Sequence, residues 1–416
     1  MAGHIVVIGA GIVGVSTGIW LRRFGAEVTI IDRGAPGQGT SYGNAGVLAA
    51  CSMVPVTAPG LVRKGPGYLM NPDFPLFLRW SYLPKLAPWL ARYLGHANDA
   101  DTRRIARGLS PIVGDSVAQH KALTHGTGAE DWISDSDYHF AYADRAAFQA
   151  DAYTWALRRE NGFEPVLREG RAVQELEPGL SPAIACLATV GAHGFIRDPG
   201  GYVAALAKAF TAMGGRIRQA EVTDFDLSGG RIRAVQTPEG PIACDAAIIA
   251  TGVWSKPLMR KLGIAVPLET ERGYHIVFKG AENGPRAPTM IASGKFVATP
   301  MAEGLRCAGV VEFGGLTAGP SPAPLALLRK QARAAYPGLT FLREEEWMGH
   351  RPAPADSLPL IGQIRDTGVF TGFGHHHIGL TGGPKTGRLI AEMLTGRTPN
   401  ADMAPYSPNR FASGQE

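Results

Sequence analysis

The stretch His4-Ile-Val-Val-Ile-Gly-Ala-Gly-Ile-Val-Gly14 constrains this chain more than any other part of its 416 residues. Ile5–Ile8 is a short apolar run suited to a buried strand, Gly9-Ala-Gly11-Ile12-Val13-Gly14 a tight turn, and Val15–Phe24 a helix that stops near Gly25. Val28–Ile31 is a second apolar strand that closes on Asp32. Gly9 permits the turn, Gly11 lets backbone approach a pyrophosphate, and Gly14 lets helix and strand pack closely, while the helix start at Ile12 and Val13 faces phosphate charge. Asp32, eighteen residues beyond Gly14, is placed to accept ribose hydroxyls. A glycine turn flanked by both strands and the acid predicts a bound dinucleotide.

The length exceeds what one core supports, so two structural units are expected. Hydrophobic residues make up 45% and charged residues 19%, an ordinary balance for a globular protein. The net charge of +5 comes without any run of Lys or Arg, which argues against nucleic-acid binding. Cys51, Cys186, Cys244 and Cys307 lie far apart with no CxxC spacing, so neither zinc nor an iron–sulfur cluster is predicted, and the chain reads as one with free thiols in a reducing compartment. The fingerprint strand begins close to Met1 and no apolar run approaches twenty residues, so a cytoplasmic protein is expected.

After Asp32 no further βα unit follows. Gly34–Gly46 is instead a loop of small residues and hydroxyls, suited to a second contact with the cofactor. Residues 72–95 alternate aromatic, basic and apolar side chains around Pro84 and Pro88; they read as short helices on a second domain, with a peripheral membrane contact as the alternative. Ile105–Leu123, Arg145–Arg159, Gly200–Met213 and Leu325–Ala335 are predicted helices. A run of strands over 216–250 ends in Ala246-Ala-Ile-Ile-Ala-Thr-Gly252, and a last glycine-rich loop, 369–384, leads into a helix over Lys385–Leu394 with Pro384 at its start.

With these stations in order the sequence resembles the D-amino-acid oxidase and dehydrogenase superfamily of flavoproteins, and most the bacterial D-amino-acid dehydrogenases. The likeness spans nearly the whole chain and rests on VVIGAGIVGVSTGIWL…VTIIDR, GTSYGNAG, DAAIIATGVWS, PLETERGYH, HRPAPADSLPLIG and FGHHHIGLTGGPKTGRLIAEML. It implies an α/β fold, with a Rossmann-like FAD-binding domain of 1–47, 196–258 and 350–416 interleaved with an α+β substrate domain of 48–195 and 259–349 that carries an antiparallel sheet. It implies noncovalent FAD, held by Gly9, Gly11, Ile12, Val13, Gly14 and Asp32, where the family more often carries Glu. Arg33, Thr40, Ser41, Asn44, Ala45 and Gly46 would line the phosphates and flavin, Val222 would touch adenine, and Thr251, Gly252 and Trp254 would pass beneath the cofactor. Gly374, His377, Ile378, Gly379, Leu380 and Thr381 would run along the flavin ring, where backbone N–H groups stabilise charge.

On the substrate side the resemblance points to Arg351, Tyr274 and His275. A bidentate guanidinium suits a carboxylate and a phenol beside it adds a donor; Arg272, Arg306 and Arg63 are the fallback anchors. His375-His376-His377 is read as placing one histidine near the flavin, with His377 named among the site residues, and not as a metal site, and which ring points inward is open. The expected reaction is hydride transfer from Cα of a D-amino acid, or a cyclic secondary analogue, to flavin N5, giving an imino acid that hydrolyses to a 2-oxo acid, with a quinone or dye-like acceptor. An oxygen-using amine oxidase of the glycine or sarcosine type and the FAD subunit of a multi-chain dehydrogenase are the alternatives, and the oligomeric state is open.

Overall fold

In the computed structural model, which describes residues 3–412, the fingerprint stretch folds as strand His4–Ile8, helix Ile12–Arg23 and strand Glu27–Asp32. They belong to a six-stranded sheet ordered Leu360–Gln363, Val369–Phe373, Ala246–Ile249, His4–Ile8, Glu27–Asp32, Arg216–Gln219. Neighbours run parallel except for the first pair. A parallel sheet covered on both faces needs strands apolar throughout, and this explains His4–Ile8: Ile5 and Val7 enter one core while Val6 and Ile8 enter another.

On one face lie the helices Ile12–Arg23, Pro199–Ala212 and Gly379–Leu394. The first and last cross so closely that a Cβ on Gly387 would stand 2.6 Å from the Thr17 amide nitrogen. The other face carries the three-stranded antiparallel sheet Asp224–Ser228, Arg231–Thr237, Gly240–Ala243 and the helix Ser255–Lys261.

A second, nine-stranded sheet runs Arg343–Pro354, Leu268–Lys279, Gly304–Phe313, Phe296–Met301, Thr289–Ile291, Ile133–Tyr142, Cys186–Ile196, Val166–Glu169, with Leu76–Leu78 added alongside Gly304–Phe313. Mostly antiparallel, it carries two further apolar cores.

Several sequence expectations are corrected. The helix expected over 105–123 is two, Asp99–Val113 and Ser116–Thr124, broken at Gly114 and Asp115. Both bury apolar side chains (Ile105, Leu109, Ile112, Leu123) in the core of the six-stranded sheet, so 99–124 pack on the cofactor side although the expected division gave them to the substrate domain. Strand Arg343–Pro354 runs through the expected boundary at 349/350. The helix over 145–159 likewise divides at Asp151.

The last helix begins at Gly379, six residues earlier than Lys385, with Pro384 inside it. Pro384 cannot donate to the Leu380 carbonyl one turn back; that oxygen instead meets His120 Nε2 at 2.9 Å, which removes much of the cost of a proline there. Within 72–95, the helix Leu83–Gly95 buries Leu86, Trp89 and Tyr93 against the large sheet. The exposed apolar groups lie just upstream, with Trp80 65% and Met70 77% exposed.

Candidate cofactor and active site

The fingerprint turn meets steric demands at Gly9 and Gly14 and leaves Gly11 open. Gly9 has φ +111°, and a Cβ there would sit 2.5 Å from the Ala250 carbonyl oxygen. A Cβ on Gly14 would collide with the Gly9 carbonyl oxygen. At Gly11 the nearest atom to an added Cβ is Ser41 Oγ, 3.4 Å away, so the turn has room here for the close approach of a ligand. The helix start at Ile12 has no side-chain cap and no acid in its first turn, and its first N–H meets Ser41 Oγ at 3.0 Å. A helix start whose N-cap is a glycine with no side chain to offer, and with no acid in its first turn, is the cradle a pyrophosphate requires, so these residues fit FAD. The side chains of Ile12 and Val13 point into the core, leaving backbone as their only contribution.

Asp32 differs from the simple expectation. Its two oxygens accept the N–H groups of Ala10 at 2.7 Å and Gly34 at 2.9 Å, so the short carboxylate fastens both loops and has only its remaining lone pairs for a ribose. Val222 is buried beside this strand tip, where the Ala220 amide donates to the Asp32 carbonyl. Arg33 lies over the Trp254 ring at 4.3 Å, Thr40 donates to the His350 carbonyl, and Thr251 Oγ1 meets Ser255 Oγ at 3.0 Å beside Gly252.

The 40–46 loop joins the two sheets. Arg306 Nη1 donates to the carbonyls of Tyr42 and Asn44 at 2.9 and 2.7 Å, and His275 Nδ1 meets the Gly43 carbonyl at 3.1 Å. Trp347 stacks on His275 and fills the places a Cβ on Gly43 or Gly349 would take. Asn44 Nδ2 reaches the His377 carbonyl, its Oδ1 accepts the Gly46 N–H, Thr381 Oγ1 donates to the Val47 carbonyl, and Ala45 packs on an adjoining core. Gly374 turns with φ +89° towards the second uncapped helix start, Ile378–Gly379, whose first turn also lacks acids and buries Leu380.

Tyr274 is not in this site. Strand alternation sends it to the opposite face from His275, where it is 1% exposed, donates to Glu312 Oε2 at 2.6 Å and accepts the Ser321 N–H. Arg272 shares that face and pairs with Glu312 at 2.7 Å. His275 itself is buried between the Gly43 carbonyl and Trp347; burial, with Arg306 nearby, pushes its pKa down to about 3, so it is a neutral brace rather than a proton carrier. Arg63 lies exposed on the surface helix Leu61–Met70.

Of the candidate arginines, Arg306 is engaged by the Tyr42 and Asn44 carbonyls of the 40–46 loop, and Arg351 is the one that stands beside Gly273 on the face of His275. It crosses over Gly273, where any Cβ would strike it, and donates to the carbonyls of Gly309 and Val310, both at 3.3 Å. Val310 is the extra residue of a bulge opposite Gly273 and Tyr274, with φ +55°. That left-handed backbone at a β-branched residue carries strain, and it turns the two carbonyls onto Arg351. Burial lowers the Arg351 pKa, opposed by Glu271.

Glu271, the cross-strand partner of Arg351, was missed in the sequence because its surroundings come from two other segments. It is 5% exposed, with His376 Nδ1 3.7 Å away. Burial works to raise its carboxyl, but His376, Arg351 and His377 outweigh that and hold it below the usual carboxylate range. The three histidines diverge: His375 Nε2 bonds Thr386 Oγ1, His376 Nε2 bonds the Pro354 carbonyl, and His377 is exposed in the recess shared with Tyr93, Ser52 and Val54. Among the described residues no group of three or more His, Cys, Asp or Glu side chains is arranged to hold a metal.

Known proteins resemble the chain over nearly its whole length. The chain is 41% identical to the D-amino-acid oxidase of Bradyrhizobium diazoefficiens, covering 98% of this chain and 99% of that one. It is 29% identical to D-amino acid dehydrogenase 2 of Ralstonia nicotianae over 97% of this chain and 99% of that one. Among solved structures, the glycine oxidase of Geobacillus kaustophilus superposes with a TM-score of 0.77 at 20% identity, over 99% of this chain and all of that one. The family model for FAD dependent oxidoreductases matches residues 4–393, and with it the two uncapped helix starts and the open glycine have their explanation: the chain belongs to the FAD-dependent oxidoreductase family.

Proposed function

We propose that this protein is an amino-acid oxidoreductase that converts a D-amino acid to an imino acid, released as a 2-oxo acid after hydrolysis. The observation that carries the reading is Arg351, a guanidinium held by two backbone carbonyls, next to His350, whose carbonyl accepts from Thr40 of the loop proposed to receive the flavin. The names borne by the relatives, D-amino-acid oxidase and D-amino acid dehydrogenase, support the D configuration.

When bound, FAD supplies the two-electron acceptor for the Cα–H bond. Arg351 fixes the substrate carboxylate with its outward N–H groups, and this single anchor limits how Cα is presented. The helix start at Ile378–Gly379 offers N–H groups to negative charge, and the buried brace of His275, Trp347 and Arg306 keeps the 40–46 loop in register with the strands that carry Arg351. All four cysteines are buried, which favours noncovalent FAD; acid precipitation should release the flavin into the supernatant.

The decisive experiment is anaerobic bleaching of the purified flavoprotein by D-, L- and N-methyl amino acids. Bleaching by D-amino acids, cyclic secondary ones included, supports the proposal; bleaching only by L-amino acids or plain amines overturns it. For the acceptor we propose a quinone or dye. The oxidase name of the 41% identical relative favours oxygen as a second reading, and stoichiometric peroxide in air would decide for it. No helix among the described residues is long and apolar enough to cross a membrane. Peripheral contact would run through Val62, Met70 and Trp80 with Arg63 and Lys64, and failure to co-sediment with anionic vesicles would remove it.

A further inference from the structure

The carboxylate of Glu271 poses a question that the anchoring of Arg351 does not answer. A carboxylate this buried ordinarily accepts several hydrogen bonds, because an ion withdrawn from water and left unsatisfied is expensive. Among the described residues no donor comes within hydrogen-bond length of it; His376 Nδ1 is 3.7 Å away, and His376 Nε2 is engaged with the Pro354 carbonyl at 3.2 Å. Nor does it form an ion pair with Arg351, although the two residues are directly opposite on paired strands, since the guanidinium turns to Gly309 and Val310. The strand presents Glu271, Gly273 and His275 on one face by alternation, and Gly273 leaves that face bare beneath the guanidinium. A positive and a negative group thus stand side by side, unpaired with each other, in front of the histidine loop.

We propose that Glu271 accepts the N–H of the substrate's amino group, so that Arg351 and Glu271 together read the two ends of an α-amino acid. The inference rests on the amino-acid reading of the site and deepens it. The arrangement selects ligands carrying a carboxylate and an N–H-bearing amine on the same carbon, primary or secondary in a ring. It disfavours carboxylic acids without a donor on Cα and amines without a carboxylate, each of which leaves one of the two charges unmatched. Were Glu271 only a counter-charge for Arg351, the guanidinium would be expected to fork onto it in place of two long carbonyl contacts.

Two non-oxidisable acids separate the roles. 2-Aminoisobutyrate has both groups but no Cα–H, and isobutyrate lacks the amine. Their dissociation constants would be measured on the flavin-loaded protein by calorimetry and by perturbation of the flavin spectrum. Glu271→Gln should weaken 2-aminoisobutyrate at least about tenfold while leaving isobutyrate within about twofold, whereas Arg351→Ala should weaken both. Glu271→Asp, which keeps the charge but retracts it, should fall between wild type and Glu271→Gln, and it serves alone if the Gln variant does not retain flavin. Equal effects of Glu271→Gln on the two acids, or none, would overturn the assignment and leave Glu271 as a structural charge. If wild-type protein binds neither acid and no D-amino acid bleaches it, the amino-acid reading itself fails, an outcome distinct from failure at Glu271.

Discussion

The cofactor cradle and the substrate wall are both built from strands, yet the chain specifies them differently. In the cradle, Gly9, Gly11, Gly14 and Asp32 lie within one βαβ unit: Gly14 packs on the Gly9 carbonyl oxygen, Asp32 fastens Ala10 and Gly34, Gly11 is left open, and only Gly9 faces a distant segment, at Ala250. In the wall, Glu271 and Arg351 come from strands eighty residues apart, and what each side chain faces depends on register, on a bulge at Val310 and on two glycines that clear space. Local spacing therefore determines most of the cradle, and long-range pairing determines the wall.

The contrast can be broken, the largest effect first. Gly14→Ala should prevent stable folding, since its Cβ collides with the Gly9 carbonyl, whereas Gly11→Ala should fold yet purify colourless, because it fills the space proposed for the pyrophosphate. Thermal melts and flavin absorbance of both variants would test this; a yellow Gly11→Ala protein would refute the placement of the pyrophosphate. Acid should next weaken both regions together. Burial pushes His120 and His375 on the cradle side to about 4 and 3, and His139 and His275 in the large sheet to about 4 and 3. Below about 6.5 the unfolded chain takes up protons that these rings refuse, so their stabilising contribution is complete above that pH and declines as pH falls towards 4. The melting temperature should drop by at least about 5 °C between pH 6.5 and 5.0; a flat profile would mean these rings titrate normally.

Arg351→Ala should raise the apparent KM for the best D-amino acid at least about tenfold with flavin retained, and Arg351→Lys should recover only part, since Lys has no fork. A near-normal KM with lost flavin would make Arg351 a cofactor residue. Smallest is Tyr274→Phe, expected to cost about 1–3 kcal/mol of stability by depriving Glu312 and the Ser321 N–H of a buried partner, with KM unchanged. A tenfold rise in KM would return Tyr274 to the active site.

The same division explains what could be read in advance. The fingerprint, the strand Ala246–Ile249 and the glycine loop before the last helix were visible because turn chemistry and apolar runs are local signals. Tyr274 was placed in the site by its neighbours in Arg-Gly-Tyr-His, but in a strand adjacent residues face opposite ways, and only the pairing at Gly43 reveals that His275, not Tyr274, takes the inward side. Glu271 lay inside a motif that was noticed, yet nothing local marks a carboxylate as buried and unpartnered. The earlier start of the last helix was hidden by Pro384, because the compensating contact comes from His120, more than 250 residues away.

One consequence follows from the pairing of His4–Ile8 with Ala246–Ile249. The strand His4–Ile8 pairs early with Glu27–Asp32, but its second parallel neighbour lies about 240 residues downstream, so at ordinary elongation rates that other edge waits on the order of 10–50 s for a partner. Through that interval one edge of a largely apolar strand is unpaired on the nascent chain, and such edges are sites of misassociation. Production of this protein should then depend on holding chaperones and on cool, slow expression more than its final stability suggests, and flavin can be captured only after the chain is nearly complete.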